Sequence, residues 1–222
     1  MKYQPSRLEI NTACFTGHRR IDPSQVAAIR QRICDALRIC YSDQIRWFMC
    51  GGALGFDTIA AEEIIRFRHD RPDVGLFLAI PCTGQADFWP YPDQIKYNEI
   101  RKLADDEIVL SDRYYNGCMQ MRNRFMVQHS RRCISYLSYL SGGTGYTVRY
   151  ALANHCEVMN LYEAQPNTPL FKERLWNYTF ISHSASENAA TATSFHMPAV
   201  PCGKWMNTCR ISCGRWKSVN QK

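Results

Sequence analysis

IRWFMCGGALGFDTIAAEEIIRF, residues 45–67, decides the fold. Its first six residues are a short, nearly unbroken apolar run, the length of a buried strand. Gly51-Gly52-Ala53-Leu54-Gly55 follows as a turn, and Ala60, Ile64 and Phe67 then recur at helical spacing. A strand that passes through glycines straight into a helix is the repeating half of a βαβ unit.

The same unit recurs on both sides. Residues 8–15 read as a first strand, closed by Thr16-Gly17-His18-Arg19. Asp22 then caps a helix with Pro23 in its first turn, and Val26, Ile29, Ile33 and Leu37 form its apolar face. Residues 74–80, 107–110, 133–140 and 157–162 predict four further strands. Helices are expected over about 92–104, around Cys118, Met121 and Phe125, and after Gly142-Gly143-Thr144-Gly145. Strands alternating with helices at this density predict an α/β fold, doubly wound, with a mostly parallel sheet covered by helices on both faces.

Composition agrees. Of 222 residues, 45% are hydrophobic and 21% charged, which suits a folded globular chain and not a fibre or a disordered one. No run approaches the roughly 18 unbroken apolar residues of a membrane helix, and the first residues lack the apolar core of a secretory signal. A cytoplasmic protein with no membrane partner is expected. Its eleven cysteines are odd in number and include no CxxC pair. Cys14, Cys34, Cys50 and Cys133 interrupt apolar runs, as free thiols acting as small hydrophobes do.

Residues 1–165 are expected to form the domain, and 166–222 a basic, irregular and flexible extension. Four of the seven net positive charges lie from Ile181 onward, so the charge is a weak argument for nucleic acid. Cys202, Cys209, Cys213 and His196 in that extension are zinc-capable residue types without a CxxC-type knuckle. No metal site and no cofactor are read from the sequence.

Five glycine-rich or polar segments each follow a strand: residues 16–19, 51–57, 81–89, 111–115 and 142–147. In a parallel sheet they emerge at one carboxyl edge, where open α/β sheets bind ligands. The turns at Gly51, Gly52, Ala53 and Gly55 and at Gly142, Gly143 and Thr144 each open a helix, so their N–H groups and the helix dipole suit an anion. Each glycine equally serves a tight turn. Neither turn is a Walker A loop or a GxGxxG fingerprint, which disfavours P-loop ATP hydrolysis and nicotinamide redox chemistry.

CFTGHR (14–19), CGGALGFDTIAAE (50–62), IPCTGQADFW (80–89), MQMRNRFMV (119–127) and SGGTGYTVRYA (141–151) together resemble, in order, the YpsA-type branch of the SLOG superfamily. The resemblance implies a Rossmann-like fold that binds nucleotides or nucleotide-derived ligands, as in the Lonely Guy (LOG) phosphoribohydrolases and the DNA-processing protein DprA. It also implies relatives that self-associate, so a homo-oligomer is a candidate assembly.

Met119-x-x-Arg122-Asn123-x-x-Met126 is similar to the LOG helix whose arginine faces the nucleotide. Arg122 is thereby implied as a phosphate or ribose contact, with Asn123 in place of a lysine. The segment 141–145 is similar to the LOG PGGxGT loop. The glutamate that follows there is replaced here by Thr147-Val148-Arg149-Tyr150, which contains no carboxylate. Cleavage of a glycosidic bond calls for one. Asp57 is a helix cap or a ribose acceptor, and His18 a phosphate ligand, an acid/base or a local hydrogen-bond partner. Gln85 and Trp89 suit base recognition, an amide for the edge and an indole for the face, and Trp89 equally serves to cover the sheet edge. Cys82 reads as a packed thiol.

The expected function is binding of a nucleotide or nucleotide-derived small molecule, as a sensor or sequestering protein. Nucleotide hydrolysis, with Arg122 and Asp57 as candidate catalytic residues, comes second. DprA-like binding of single-stranded DNA through the basic extension, with Trp205 and Trp216, comes last.

Overall fold

Six parallel strands form one sheet in the order β4-β3-β2-β1-β5-β6. The structure is a computed structural model and describes residues 11–162. The extension expected from 166 onward, with its zinc-capable residues and two tryptophans, lies outside the described residues. The strands are β1 (Thr12–Gly17), β2 (Trp47–Cys50), β3 (Gly75–Ile80), β4 (Asp106–Val109), β5 (Arg132–Tyr136) and β6 (Glu157–Asn160). The helices are α1 (Val26–Ser42), α2 (Phe56–Arg68), α3 (Tyr91–Leu103), α4 (Cys118–Gln128) and α5 (Gly142–Ala153). The expected doubly wound, Rossmann-like α/β fold is the observed one.

Alternation along the strands divides the core in two. Ala13 and Phe15, Phe48 and Cys50, Leu76, Leu78 and Ile80, and Ile134 and Tyr136 point to one face, where Ile33, Leu37, Ile64 and Ile100 from α1, α2 and α3 meet them. Cys14, Met49, Phe77, Ala79 and Cys133 point to the other, against Met126, Val127 and Ala151 from α4 and α5. Strands with both faces buried read as continuous apolar runs, which is how they were legible in sequence. Phe15, Phe48, Phe56 and Phe77 are the largest fully buried side chains. Each contributes roughly 1.5–3 kcal/mol through burial.

The two-face arrangement follows from chain direction. From β1 to β4 the chain steps one way across the sheet, and right-handed crossovers hold α1, α2 and α3 on one face. After β4 it returns across the sheet to pair β5 with β1, and the same handedness puts α4 and α5 on the opposite face. The reversal opens a crevice between β1 and β5.

Two elements end earlier than their apolar runs suggest. The run 133–140 predicts strand to Leu140, yet β5 stops at Tyr136. Beyond it the Leu137 N–H donates to Asn160 Oδ1 at 3.0 Å and the Ser138 N–H to His18 Nε2 at 3.0 Å. Side chains have replaced sheet partners. Asn160 also donates to the Leu137 carbonyl and accepts from the Tyr162 N–H, which closes β6 two residues early. Asp22 accepts from the Ser24 N–H as expected of a cap, but the turn it starts, Pro23–Gln25, is a 3₁₀ turn ahead of α1. No helix among the described residues is long and apolar enough to cross a membrane.

Candidate functional site

A cleft of about 460 Å³ opens at the carboxyl edge, over the crevice between β1 and β5. That is within the ~300–1,000 Å³ of small-molecule sites. Four segments far apart in sequence wall it: Phe15, Thr16, Gly17, His18, Arg19 and Arg20 from the end of β1; Ala53 and Asp57 around the start of α2; Met119, Arg122 and Asn123 from α4; and Tyr139, Ser141, Gly142, Gly143 and Thr144 ahead of and within α5.

The two glycine turns differ in what their N–H groups do. In the first, the N–H groups of Gly51 and Ala53 donate to Asp57 Oδ2 at 3.1 and 3.5 Å. The anion of that turn is the protein's own carboxylate. Helix α2 is capped by Gly55, so Asp57 braces the turn before the helix rather than the helix itself. In the second turn, Ser141 makes no side-chain cap. No loop or side-chain acceptor among the described residues takes the N–H groups of residues 141–144. Ser141, Gly142 and Gly143 are exposed to the cleft. A Cβ built on Gly142 or Gly143 meets nothing within 4 Å, whereas one on Gly145 overlaps the Leu140 carbonyl. The first two glycines leave open a donor-lined surface at a helix N-terminus, and the third packs the helix onto its own loop.

Arg122 is buried at the cleft floor. Its Nη1 donates to the Gly51 carbonyl and, at 3.5 Å, to that of Ala79. Its Nε donates to Asn123 Oδ1 at 2.8 Å. Asn123 Nδ2 donates in turn to Thr147 Oγ1 at 2.7 Å, and Thr147 Oγ1 to the Gly143 carbonyl at 2.8 Å. One hydrogen-bonded chain therefore runs from the first glycine turn to the second. Thr147, in the stretch 147–150 that contains no carboxylate, is a link in this chain.

Nη1 of Arg122 lies 4.0 Å from Asp57 Oδ2. Burial raises the Asp57 carboxyl above its ordinary value, with Arg122 and the two amides opposing. Burial also lowers the Arg122 guanidinium, with Asp57 opposing. Each partner is shifted toward neutrality because their separation is too long to offset desolvation. Arginine nonetheless stays charged at neutral pH. Arg19 and Arg20 add two exposed guanidinium groups at the lip, so the wall carries three cations and one carboxylate.

His18 fastens the lips together. Its Nε2 accepts from the Ser138 N–H at 3.0 Å, which requires an unprotonated Nε2 and hence a neutral ring. Tyr139 stacks on that ring at 4.1 Å and 14°. Burial lowers the His18 pKa below 6.5, so the folded state resists a proton that the unfolded chain accepts. The contribution is complete above 6.5 and is lost as pH falls below it. Thermal unfolding between pH about 7.5 and about 5 should show this loss, and His18→Gln, which keeps an acceptor without a titrating ring, should show less of it.

Of the residues expected from sequence, Thr16, Gly17, His18, Arg19, Ala53, Asp57, Arg122, Asn123, Gly142, Gly143 and Thr144 share this cleft. Gly51, Gly52, Gly55, Gln85 and Trp89 do not line it. Gly51 gives its Cβ space to the Arg122 guanidinium, and Gly55 lies against the Arg19 carbonyl. Gln85 Nε2 donates to the carbonyls of Gly51 and Gly52, so it clamps the turn from behind. Trp89 packs edge-on against Tyr97 at 5.4 Å. Gln85, Cys82 and Asp87 line a separate hollow of about 190 Å³ beside β3 and α3. Cys82 is buried there, and burial together with the neighbouring Cys118 pushes its thiol up, away from reactivity. Phe15, Arg20, Met119, Tyr139 and Ser141 also line the cleft and lie outside the expected set. Arg20 adjoins the arginine that was expected, and Tyr139 was hidden inside a strand read four residues too long.

A family model described as the YspA SLOG family matches residues 14–162. A UPF0398 protein of Staphylococcus epidermidis is 25% identical over 130 residues, which are 54% of this chain and 69% of the relative. A UPF0398 protein of Halalkalibacterium halodurans is 32% identical over 88 residues, 39% of this chain and 47% of its own. Among solved structures, DNA processing protein A (DprA) from Streptococcus pneumoniae superposes with a TM-score of 0.50 at 17% identity, over 67% of this chain and 49% of that one. That likeness is one of fold.

Proposed function

Because the chain belongs to the YspA SLOG family, we propose that the β1–β5 cleft binds a nucleotide or nucleotide-derived metabolite through its phosphate. The protein then acts as a sensor or a sequestering protein. One observation carries this reading: an uncapped helix N-terminus whose donors face a cleft bordered by Arg19, Arg20 and Arg122. Hydrogen bonds between charged donors and phosphate oxygens are the strong kind, and fixed amides add to them without reorganising.

Binding is favoured over hydrolysis because Asp57 is the one carboxylate among the cleft-lining residues, and its oxygen already accepts two amides. Incubation with nucleoside monophosphates should release no free base. Calorimetric titration with nucleoside monophosphates, ADP-ribose and inorganic phosphate tests the reading directly. Paired Arg19→Ala and Arg20→Ala should weaken binding by about 10-fold or more. Gly143→Ala is the sharper variant. A methyl fits there without contact, and alanine in a helix stabilises by about 0.5–1 kcal/mol relative to glycine. It should therefore raise the melting temperature while reducing affinity about tenfold or more. Absence of binding by every nucleotide and by phosphate would overturn the proposal, and binding only to a single-stranded oligonucleotide would replace it with the DNA-binding alternative.

A further inference from the structure

Tyr139 is 54% exposed, yet it is held flat. One face of its ring is covered by His18, whose orientation is fixed by the backbone N–H of Ser138, the residue before the tyrosine. The stack therefore joins the end of β1 to the loop after β5, and the half-exposed ring lines the cleft wall with no second ring stacked on it among the described residues. Among the described residues, the other large exposed aromatics, Phe88, Tyr91, Tyr114 and Tyr115, do not line the cleft. Within the cleft, Phe15 is fully buried and belongs to the core.

Two residues separate Tyr139 from Gly142, three peptide steps that span at most about 11 Å. A rigid aromatic face and an open set of amide donors thus stand within one small molecule's length of each other. Resting on the phosphate reading above, we infer that Tyr139 is the stacking platform for the base, and that the ligand is a nucleoside phosphate rather than a sugar phosphate or a simple polyanion. The ligand must carry a planar aromatic group and an anionic group on a short linker, and a ribose bearing a base and a phosphate meets that description. Any base has a π-face, so the platform gives affinity for bases as a class. Trp89, which suited this role by residue type, is on the other side of the first glycine turn, against Tyr97.

The test compares adenosine 5′-monophosphate, ribose 5-phosphate and inorganic phosphate by calorimetry on the full chain at one pH and salt concentration. Wild type should bind the nucleotide about 5–100-fold more tightly than ribose 5-phosphate, the range of one base stacked on an aromatic ring. Tyr139→Leu should bring the two affinities within about twofold of each other and leave that for ribose 5-phosphate unchanged. Tyr139→Trp should retain the preference. Equal affinities in wild type, or a preference that survives Tyr139→Leu, would overturn the inference while leaving the phosphate reading in place. Failure of all three probes to bind would overturn both.

Discussion

Replacing Arg122 by methionine lowers the free energy of unfolding by about 3–5 kcal/mol, the cost of removing one partner of a buried ion pair. The charge left behind is Asp57, buried and already above its ordinary titration range. The carbonyl of Gly51 also loses its guanidinium donor. The pH dependence identifies the cause. Without Arg122 the Asp57 carboxyl rises further, so the folded state holds a proton that the unfolded chain releases from its ordinary value of 3.8 upward. The variant's deficit relative to wild type should therefore be smallest in acid and grow as pH rises toward neutrality. Adding Asp57→Asn should recover a large part of the loss at neutral pH, because an amide oxygen still accepts from Gly51 without a charge to desolvate. Denaturant melts of the two single variants and the double variant, at two pH values, check this. Additive single effects would show that Arg122 acts by packing alone.

Gly55→Ala is expected to cost about 2–4 kcal/mol. The backbone there has φ of 80° and ψ of −119°, a conformation that side chains with a Cβ rarely adopt. The added methyl would also overlap the carbonyl groups of His18 and Arg19, which are backbone and cannot swing away. The Phe56 N–H donates to the same His18 carbonyl at 3.1 Å, so the turn and the end of β1 are pinned to each other. A shift large enough to admit the methyl displaces Arg19, and ligand affinity should fall together with stability. Gly142→Ala is the control, since φ there is +79° but nothing lies within 4 Å. It carries the backbone cost alone, about 1 kcal/mol. A Gly55→Ala variant no less stable than Gly142→Ala in thermal melts would disprove the overlap.

Much of this fold was legible because its strands are buried on both sides. Residues 75–80 and 133–136 contain almost nothing polar, and such runs between glycine turns and helical repeats specify parallel crossovers. The sheet order was not legible, since it depends on which edge the chain returns to after β4. That choice alone separates the glycine turn at Gly142, which borders the cleft, from Gln85 and Trp89, which lie beside β3. The turn at Gly51 showed a second limit. Its composition is that of a phosphate loop, but whether its amides are open depends on the side chain of Asp57, six residues further on. Tyr139 was missed for a related reason: apolar character continues to Leu140, while the strand is ended by the side chains of His18 and Asn160, neither of them nearby in sequence.

The position of β1 has a consequence for the timing of recognition. It is paired by β2 on one side and by β5 at the reversal point, its residues from Ala13 to Phe15 are wholly inaccessible to solvent, and the lip carrying His18 and Arg19 is its direct continuation. Donors rooted in the most protected part of a molecule stand ready before a visitor arrives. On the proposed phosphate-binding reading, the part of the rim that β1 carries needs no ordering on arrival, and that part forfeits little of the attraction to entropy.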